Sequence, residues 1–348
     1  MAKIYGHRPL LARCLAAVAP VCAMVSGTAL AVVDSSGSLK QSVSGYRDSA
    51  GQERSKLGLD ANIKLGSSSL SLGLTRERIV DQAWQENKYL KELYGQGERI
   101  NDGLNLLAGY TVAKLTDIRV AASYSSDDVV ETQVAGAGAS QWMLHETLQA
   151  SLDLTRTMVS RPGYEILDYD ATVLAAPPRM DSTAVSAGLR HLSTPTTMTL
   201  ATVTLSSSND RPLARYYHLG VRQYVPFLSG AIHAAAYRGL NRGGLSTATL
   251  YGEVDSWTGD LAWVQEAGTA TQIRIGWRVY QEKEVGRAYG DVTQFGSDLW
   301  SVNLVHEISA GNSLLAGRPL SLETGFARYM SNEGLTATTA NFGLAGKF

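Results

Sequence analysis

Residues 55–65 read Ser-Lys-Leu-Gly-Leu-Asp-Ala-Asn-Ile-Lys-Leu. Leu57, Leu59, Ala61, Ile63 and Leu65 hold alternate positions, with Lys56, Gly58, Asp60, Asn62 and Lys64 between them. A strand sends successive side chains to opposite faces, so this stretch makes one apolar face and one wet face. A helix would scatter the same set around its circumference.

The pattern recurs along the chain. Leu104, Leu106, Ala108 and Tyr110 alternate with Asn105 and Gly109; Leu148, Ala150, Leu152 and Leu154 alternate with Gln149, Ser151 and Asp153. Ile273, Ile275, Trp277 and Val279 oppose Gln272, Arg274, Gly276 and Arg278. Turn-forming groups such as Asn209-Asp210-Arg211-Pro212 and Ser331-Asn332-Glu333-Gly334 separate the runs, as hairpins require. A soluble β-sandwich would also alternate. Its strands, however, usually run about 5–6 residues, whereas many here reach roughly nine to eleven, the length that spans a bilayer. Beyond residue 31 no apolar run is long enough for a membrane helix. A chain of this kind spans a bilayer only as a closed barrel. The predicted fold is therefore all-β: a transmembrane, antiparallel up-and-down β-barrel of about 16 strands, with 14–18 open.

Residues 1–31 stand apart. Lys3, Arg8 and Arg13 precede an apolar segment from Cys14 to Val25, and Ala29-Leu30-Ala31 follows. That is the layout of a cleaved secretory signal peptide. Both cysteines, Cys14 and Cys22, fall inside it, so the expected mature chain has no disulfide framework. Val21 before Cys22 argues against lipidation. Removing the three early cations leaves 28 Lys+Arg against 32 Asp+Glu, and this mild acidity gives nucleic acid no basic stripe to bind.

The chain closes on Ala340-Asn341-Phe342-Gly343-Leu344-Ala345-Gly346-Lys347-Phe348, an alternating segment ending in phenylalanine. This resembles the C-terminal assembly signal of Gram-negative outer-membrane β-barrel proteins, porins among them. The family pattern prefers a bulky apolar residue where Gly346 stands. Residues 215–244, with RYYHLGVRQYVP and AIHAAAYRGL, also look like a family of outer-membrane barrels to which no activity is attached. The resemblance implies outer-membrane lipid as surroundings, the bacterial outer membrane as location, and the barrel-assembly machinery as a partner recognising the strand that ends in Phe348.

The expected organisation is a signal peptide at 1–31, an N-terminal segment at 32–54, and the barrel at 55–348 with a long loop at 77–102. Strands are expected at 55–65, 69–76, 103–113, 117–125, 142–157, 164–174, 182–192, 197–207, 215–224, 230–238, 246–255, 257–266, 271–281, 298–307, 319–329 and 337–348, with a weaker candidate at 39–46. In that register the 77–102 loop falls on the side of the termini, where turns should be short. A missed or surplus strand near either end of the loop would remove the conflict. Residues 81–94 carry a helical stripe of Trp84, Leu90, Leu93 and Tyr94, and 126–140 and 282–297 read as further loops. Tyr124, Trp142, Tyr164, Tyr217, Trp257, Tyr280, Trp300 and Tyr329 fall near strand ends, where aromatic girdles sit.

No reaction chemistry stands out. His145, His218 and His233 are expected in strands without metal-ligand spacing, and no cofactor or metal is expected. His191-Leu192-Ser193 resembles the His-x-Ser pattern of outer-membrane phospholipases. The position twelve beyond Ser193 is Leu205 where that family has asparagine, so no enzyme is expected. Asp127-Asp128 and Asp168-Tyr169-Asp170 are paired acids on loops, more often solvated than calcium-binding. The better functional clue is charge on the wet face. Alternation points Lys56, Asp60, Lys64, Arg119, Asp153, Arg190, Arg222, Glu253, Asp255, Asp260, Glu266, Arg274 and Arg278 inward. Such charges set ion preference in a wide channel, and a barrel of this size usually holds water. The expected function is a passive pore for small hydrophilic solutes; a non-conducting surface scaffold or adhesin and a barrel-embedded lipid hydrolase are the alternatives.

Overall fold

The computed structural model describes residues 35–81, 98–112, 115–126, 130–160, 165–167, 173–175, 179–208, 213–241, 253–285, 292–308 and 320–347. In chain order the strands are β1 (Ser35–Asp48), β2 (Gln52–Leu65), β3 (Ser68–Asp81), β4 (Glu98–Val112), β5 (Thr116–Ser126), β6 (Glu131–Met143), β7 (Leu148–Ser160), β8 (Glu165–Leu167) and β9 (Val173–Ala175). They continue as β10 (Arg179–Thr194), β11 (Thr197–Ser208), β12 (Ala214–Val225), β13 (Gly230–Asn241), β14 (Glu253–Ala267), β15 (Thr271–Val285), β16 (Val292–Ile308), β17 (Leu320–Ser331) and β18 (Thr336–Lys347). Among the described residues, sixteen of these close into one antiparallel barrel, while β8 and β9 form a separate two-stranded sheet. Each barrel strand pairs with its sequence neighbour, and β1 closes the ring on β18, from Ser38↔Lys347 to Asp48↔Ala337. Closure leaves no sheet edge to seek another chain.

The alternation predicts which face is which, and the register carries it from strand to strand. Leu72 pairs with Leu106, Leu104 with Tyr124, Val120 with Ala137 and Leu261 with Trp277, so apolar residues line one continuous outer surface. Leu152, Leu154, Leu219 and Phe326 are more than half exposed there. No large side chain is fully buried among the described residues. The described barrel has no conventional core of large side chains. Its apolar residues meet their solvent on the outside, and that solvent has to be hydrocarbon.

Chain direction then gives the two ends. The connections 66–67, 144–147, 195–196, 226–229 and 268–270 lie at the end that carries residue 347; those at 82–97, 161–178 and 242–252 lie at the other. Short turns beside the C-terminal strand and longer connections opposite match the periplasmic and extracellular ends of outer-membrane barrels. The contrast is not uniform: 309–319 at the turn end is longer, and 49–51 and 332–335 at the opposite end are short.

Several boundaries differ from the expectation. The weak candidate at 39–46 is a full strand, Ser35–Asp48, so the barrel begins inside the segment set apart at 32–54. Counting β1 moves the loop after β3 to the long-loop end, which removes the conflict over 77–102; the loop itself shrinks to 82–97 because β3 and β4 run further. β6 was expected as loop and its end as part of one long strand at 142–157. It was hidden because its two faces read Ala135, Ala137, Ala139 against Gly136 and Gly138, a contrast too small to register as alternation. Conversely, the described parts of the strand expected at 164–174 belong to the separate β8–β9 sheet and not to the barrel, and the described end of the one expected at 246–255 is continuous with 257–266 in β14. Two omissions and two additions leave the count at sixteen. The expected loop at 282–297 is mostly the ends of β15 and β16. His145 sits in a turn, not a strand, with Leu144 and Glu146 also in the left-handed region (φ 49, 54 and 65°). The signal peptide at 1–31, the helical stripe at Trp84, Leu90, Leu93 and Tyr94, the acids at 127–128 and 168–170, Tyr164 and Phe348 lie outside the described residues.

Candidate pore lining

Glycines opposite polar side chains show how the inner wall is built. Arg119 on β5 reaches across Gly138 on β6 to Asp153 on β7, with Nη2 2.7 Å from Oδ2 and Nε 2.9 Å from Oδ1. Any side chain at Gly138 would collide with that carboxylate. Lys40 on β1 likewise reaches over Gly343 on β18 to bind Glu323 on β17. Side chains two strands apart meet in this way only on the concave face of a curved sheet. That identifies the polar face as the interior.

Most predicted lining residues share this face. Lys56, Asp60 and Lys64 lie on β2, Arg119 on β5, Asp153 on β7, Arg190 on β10, Arg222 on β12, Asp260 and Glu266 on β14, and Arg274 and Arg278 on β15; all face the interior. Arg278 Nη2 sits 2.7 Å from Asp260 Oδ2. Lys56, Lys64, Arg190, Arg222 and Arg274 have no carboxylate within 4 Å among the described residues. The side chain of Glu253 lies outside the described ones.

Asp255 is a correction. With β14 a single strand, Asp255 shares the face of Trp257 and Leu261, and points outward, where Arg238 Nη2 binds it at 2.9 Å. The aromatic girdle is corrected as well: Trp142, Tyr280 and Tyr329 face inward, leaving Tyr124, Tyr217 and Trp257 outside near the long-loop end and Trp300 outside at mid-strand. Inward charges the sequence reading passed over include Lys40, Arg54 and Glu323. The signal for Lys40 was present, in Leu39 and Val43 flanking Lys40 and Ser42, but weak.

One stretch of wall is recessed. Leu200, His218, Arg222, His233, Asp260 and Arg274 surround a hollow of about 220 Å³. The His218 and Tyr237 rings stack there, 4.1 Å apart and 4° from parallel. His233 Nε2 is buried without a hydrogen-bond partner among the described residues. The recess therefore offers two guanidinium groups without carboxylate partners and a flat ring pair to whatever occupies the lumen.

The outer face carries the His-x-Ser pattern. His191 Nδ1 lies 3.1 Å from Ser193 Oγ, but Leu205 pairs with Val185, six positions along the strand from His191. No third group orients this imidazole among the described residues, and a nucleophile needs an oriented base. No cluster of three His, Cys, Asp or Glu residues able to hold a metal occurs among the described residues.

No protein-family model matches the chain, and no curated protein is similar to it in sequence. Solved structures are similar in fold. OpdO of Pseudomonas aeruginosa aligns with a TM-score of 0.50 at 10% identity, over 90% of this chain and 96% of that one. OccK7 (OpdD) of Pseudomonas aeruginosa aligns with a TM-score of 0.51 at 10% identity, over 92% and 99%. CdiB from Acinetobacter baumannii gives 0.56 at 10% identity, over 90% of this chain but 60% of that one. Closed topology, an apolar outer band and these likenesses agree: the chain has the fold of a porin-like β-barrel of the bacterial outer membrane.

Proposed function

We propose that the barrel is a passive pore for small hydrophilic solutes, and that the inward Arg, Lys, Asp and Glu side chains set its ion preference. The supporting observation is the direction of the inward ion pairs. Among the described residues, Lys40–Glu323, Arg54–Glu77, Arg119–Asp153 and Arg278–Asp260 each join strands that are adjacent or separated by a single strand, so they run along the wall and not across the lumen. A barrel sealed by its own side chains would pair its charges across the axis. Paired along the wall, these charges do not seal the lumen, which supports an axis open to water where a ring of wall charges acts on passing ions. Sixteen strands give a circumference at which an aqueous channel is usual.

Single-channel recording in planar bilayers tests this. Stepwise conductance supports the pore; a folded, inserted barrel that gives no steps under any salt condition would refute it and favour the surface-scaffold alternative. Selectivity is assigned to the cations without a carboxylate partner, chiefly Arg222 and Arg274 beside the recess, together with Arg190, Lys56 and Lys64.

A further inference from the structure

The outer surface is polarised in a way that pore function does not require. Among the described strand residues, every outward-facing Asp, Glu, Lys and Arg lies in the long-loop half of its strand, and none lies in the turn half. Five ion pairs stand in this zone: Arg47–Glu53, Arg76–Asp102, Arg78–Glu98, Arg156–Asp181 and Arg238–Asp255. Their arginine side chains are 57–73% exposed.

The depth of these arginines follows from the strands that carry them. The outward series on β3 reads Leu70, Leu72, Leu74, Arg76; on β7, Leu152, Leu154, Arg156; on β12, from the turn end, Val221, Leu219, Tyr217, Arg215; on β13, Ile232, Ala234, Ala236, Arg238. In each, the first guanidinium follows the last apolar residue by one outward step of two residues, about 7 Å. The headgroup layer outside the hydrocarbon is roughly 5–7 Å thick on each side. The arginines therefore stand among lipid headgroups, not beyond them in water.

We propose that this arginine belt is a binding surface for phosphate-bearing lipid headgroups in the leaflet on the long-loop side. A guanidinium carries five N–H donors in a fork that matches phosphate oxygens, and Arg76 gives only its Nε side to Asp102, at 3.2 Å. An exposed arginine–carboxylate pair contributes little net stability, so it yields easily to a competing anion or shares the guanidinium with it. The carboxylates then act as placeholders that hold the side chain upright against the wall.

The test uses the full barrel, immobilised and equilibrated with mixed micelles of phosphatidylcholine and phosphatidic acid, and reads the retained ratio of the two lipids. The expected result is enrichment of phosphatidic acid. Arg76→Gln with Arg238→Gln should weaken that enrichment roughly 30-fold, at about 1 kcal/mol per basic group near a membrane surface. Asp102→Asn with Asp255→Asn should keep or raise it, because the guanidinium groups are released. If the ion pairs served only the fold, both variants would lose enrichment together, and that outcome overturns the proposal. So does a wild type without enrichment, or an arginine variant that retains it. Inorganic phosphate at equal concentration should displace none of the lipid; displacement would mark a free-anion site and overturn the lipid assignment. Heat-modifiable migration on gels reports folding, and if the double variant fails it, Arg238→Gln alone should show a roughly fivefold loss.

Discussion

Ser151 and Leu152 are neighbours on β7 with opposite surroundings, and the same substitution at each measures what those surroundings are. Leu152 points outward, is 57% exposed, and is flanked across the sheet by Ala139 and Ala187. An arginine there has no outward polar neighbour on its strand nearer than Arg156, four residues or about 13 Å away. Charge on the lipid face of a barrel costs roughly 2–4 kcal/mol at mid-membrane and about 0–1 kcal/mol near the interface. Leu152 lies well below the charged zone, so Leu152→Arg should cost about 2–4 kcal/mol. At about 1.4 kcal/mol per tenfold, the folding equilibrium would shift by roughly 30- to 700-fold. Ser151 faces inward between Ser140 and Gly188. Ser151→Arg can extend over Gly188 into water and should cost less than about 1 kcal/mol. Guanidinium-chloride unfolding of the vesicle-inserted barrel, followed by tryptophan fluorescence, gives both values. Equal costs would mean that the interior is as dry as the lipid, and a costlier Ser151→Arg would invert the two faces. Either would sink the pore as well as the face assignment.

Other expectations follow from the same wall. Arg274→Glu with Arg278→Glu removes two inward cations beside the recess and should move the reversal potential in a salt gradient toward cation preference; an unchanged potential removes both residues from the ion path. Gly138→Val should force Arg119 and Asp153 apart, because the new side chain occupies the carboxylate's position. The loss in stability should be about 1 kcal/mol or less beyond that of the strained valine, since exposed pairs contribute little, while single-channel conductance should change. Ser193→Ala should leave a lipid-hydrolysis assay unaltered, because His191 has no orienting partner among the described residues; loss of a measurable activity would revive the hydrolase alternative. Deleting Phe348 should lower the amount of assembled barrel in outer-membrane fractions, if the assembly machinery reads the end of the strand that closes on β1. Undiminished assembly would remove that partner.

Legibility varied with the contrast between faces. β2 and β15 set leucine, isoleucine and tryptophan against lysine, aspartate and arginine, and their faces were readable from sequence at once. β6 sets alanine against glycine, a difference of one methyl group, and pairing with β5 and β7 supplies what its own side chains do not. β1 is half serine and glycine and owes its place to eleven pairings with β18, about 300 residues away in sequence. Non-local hydrogen bonding of that kind has no local signature.

The lining obeyed the same rule and exposes its limit. Alternation fixes the face of a residue only relative to the rest of its own strand, so an error in strand boundaries becomes an error in phase. Asp260 reads as inward because Trp257, Leu261 and Trp263 set the phase around it; Asp255 was read with a separate strand at 246–255, whereas 253–255 begin β14, and one step of phase moved it from the outer face to the inner. Which charges meet was further out of reach. Arg119 and Asp153 lie 34 residues apart and Lys40 and Glu323 lie 283 apart, joined only because a glycine in the intervening strand lets the side chains pass. Those glycines are Gly138 and Gly343. In a closed barrel they are the gaps through which the inner surface organises its charge, and a search for inward glycines with opposite charges on the two adjoining strands would have found both pairs.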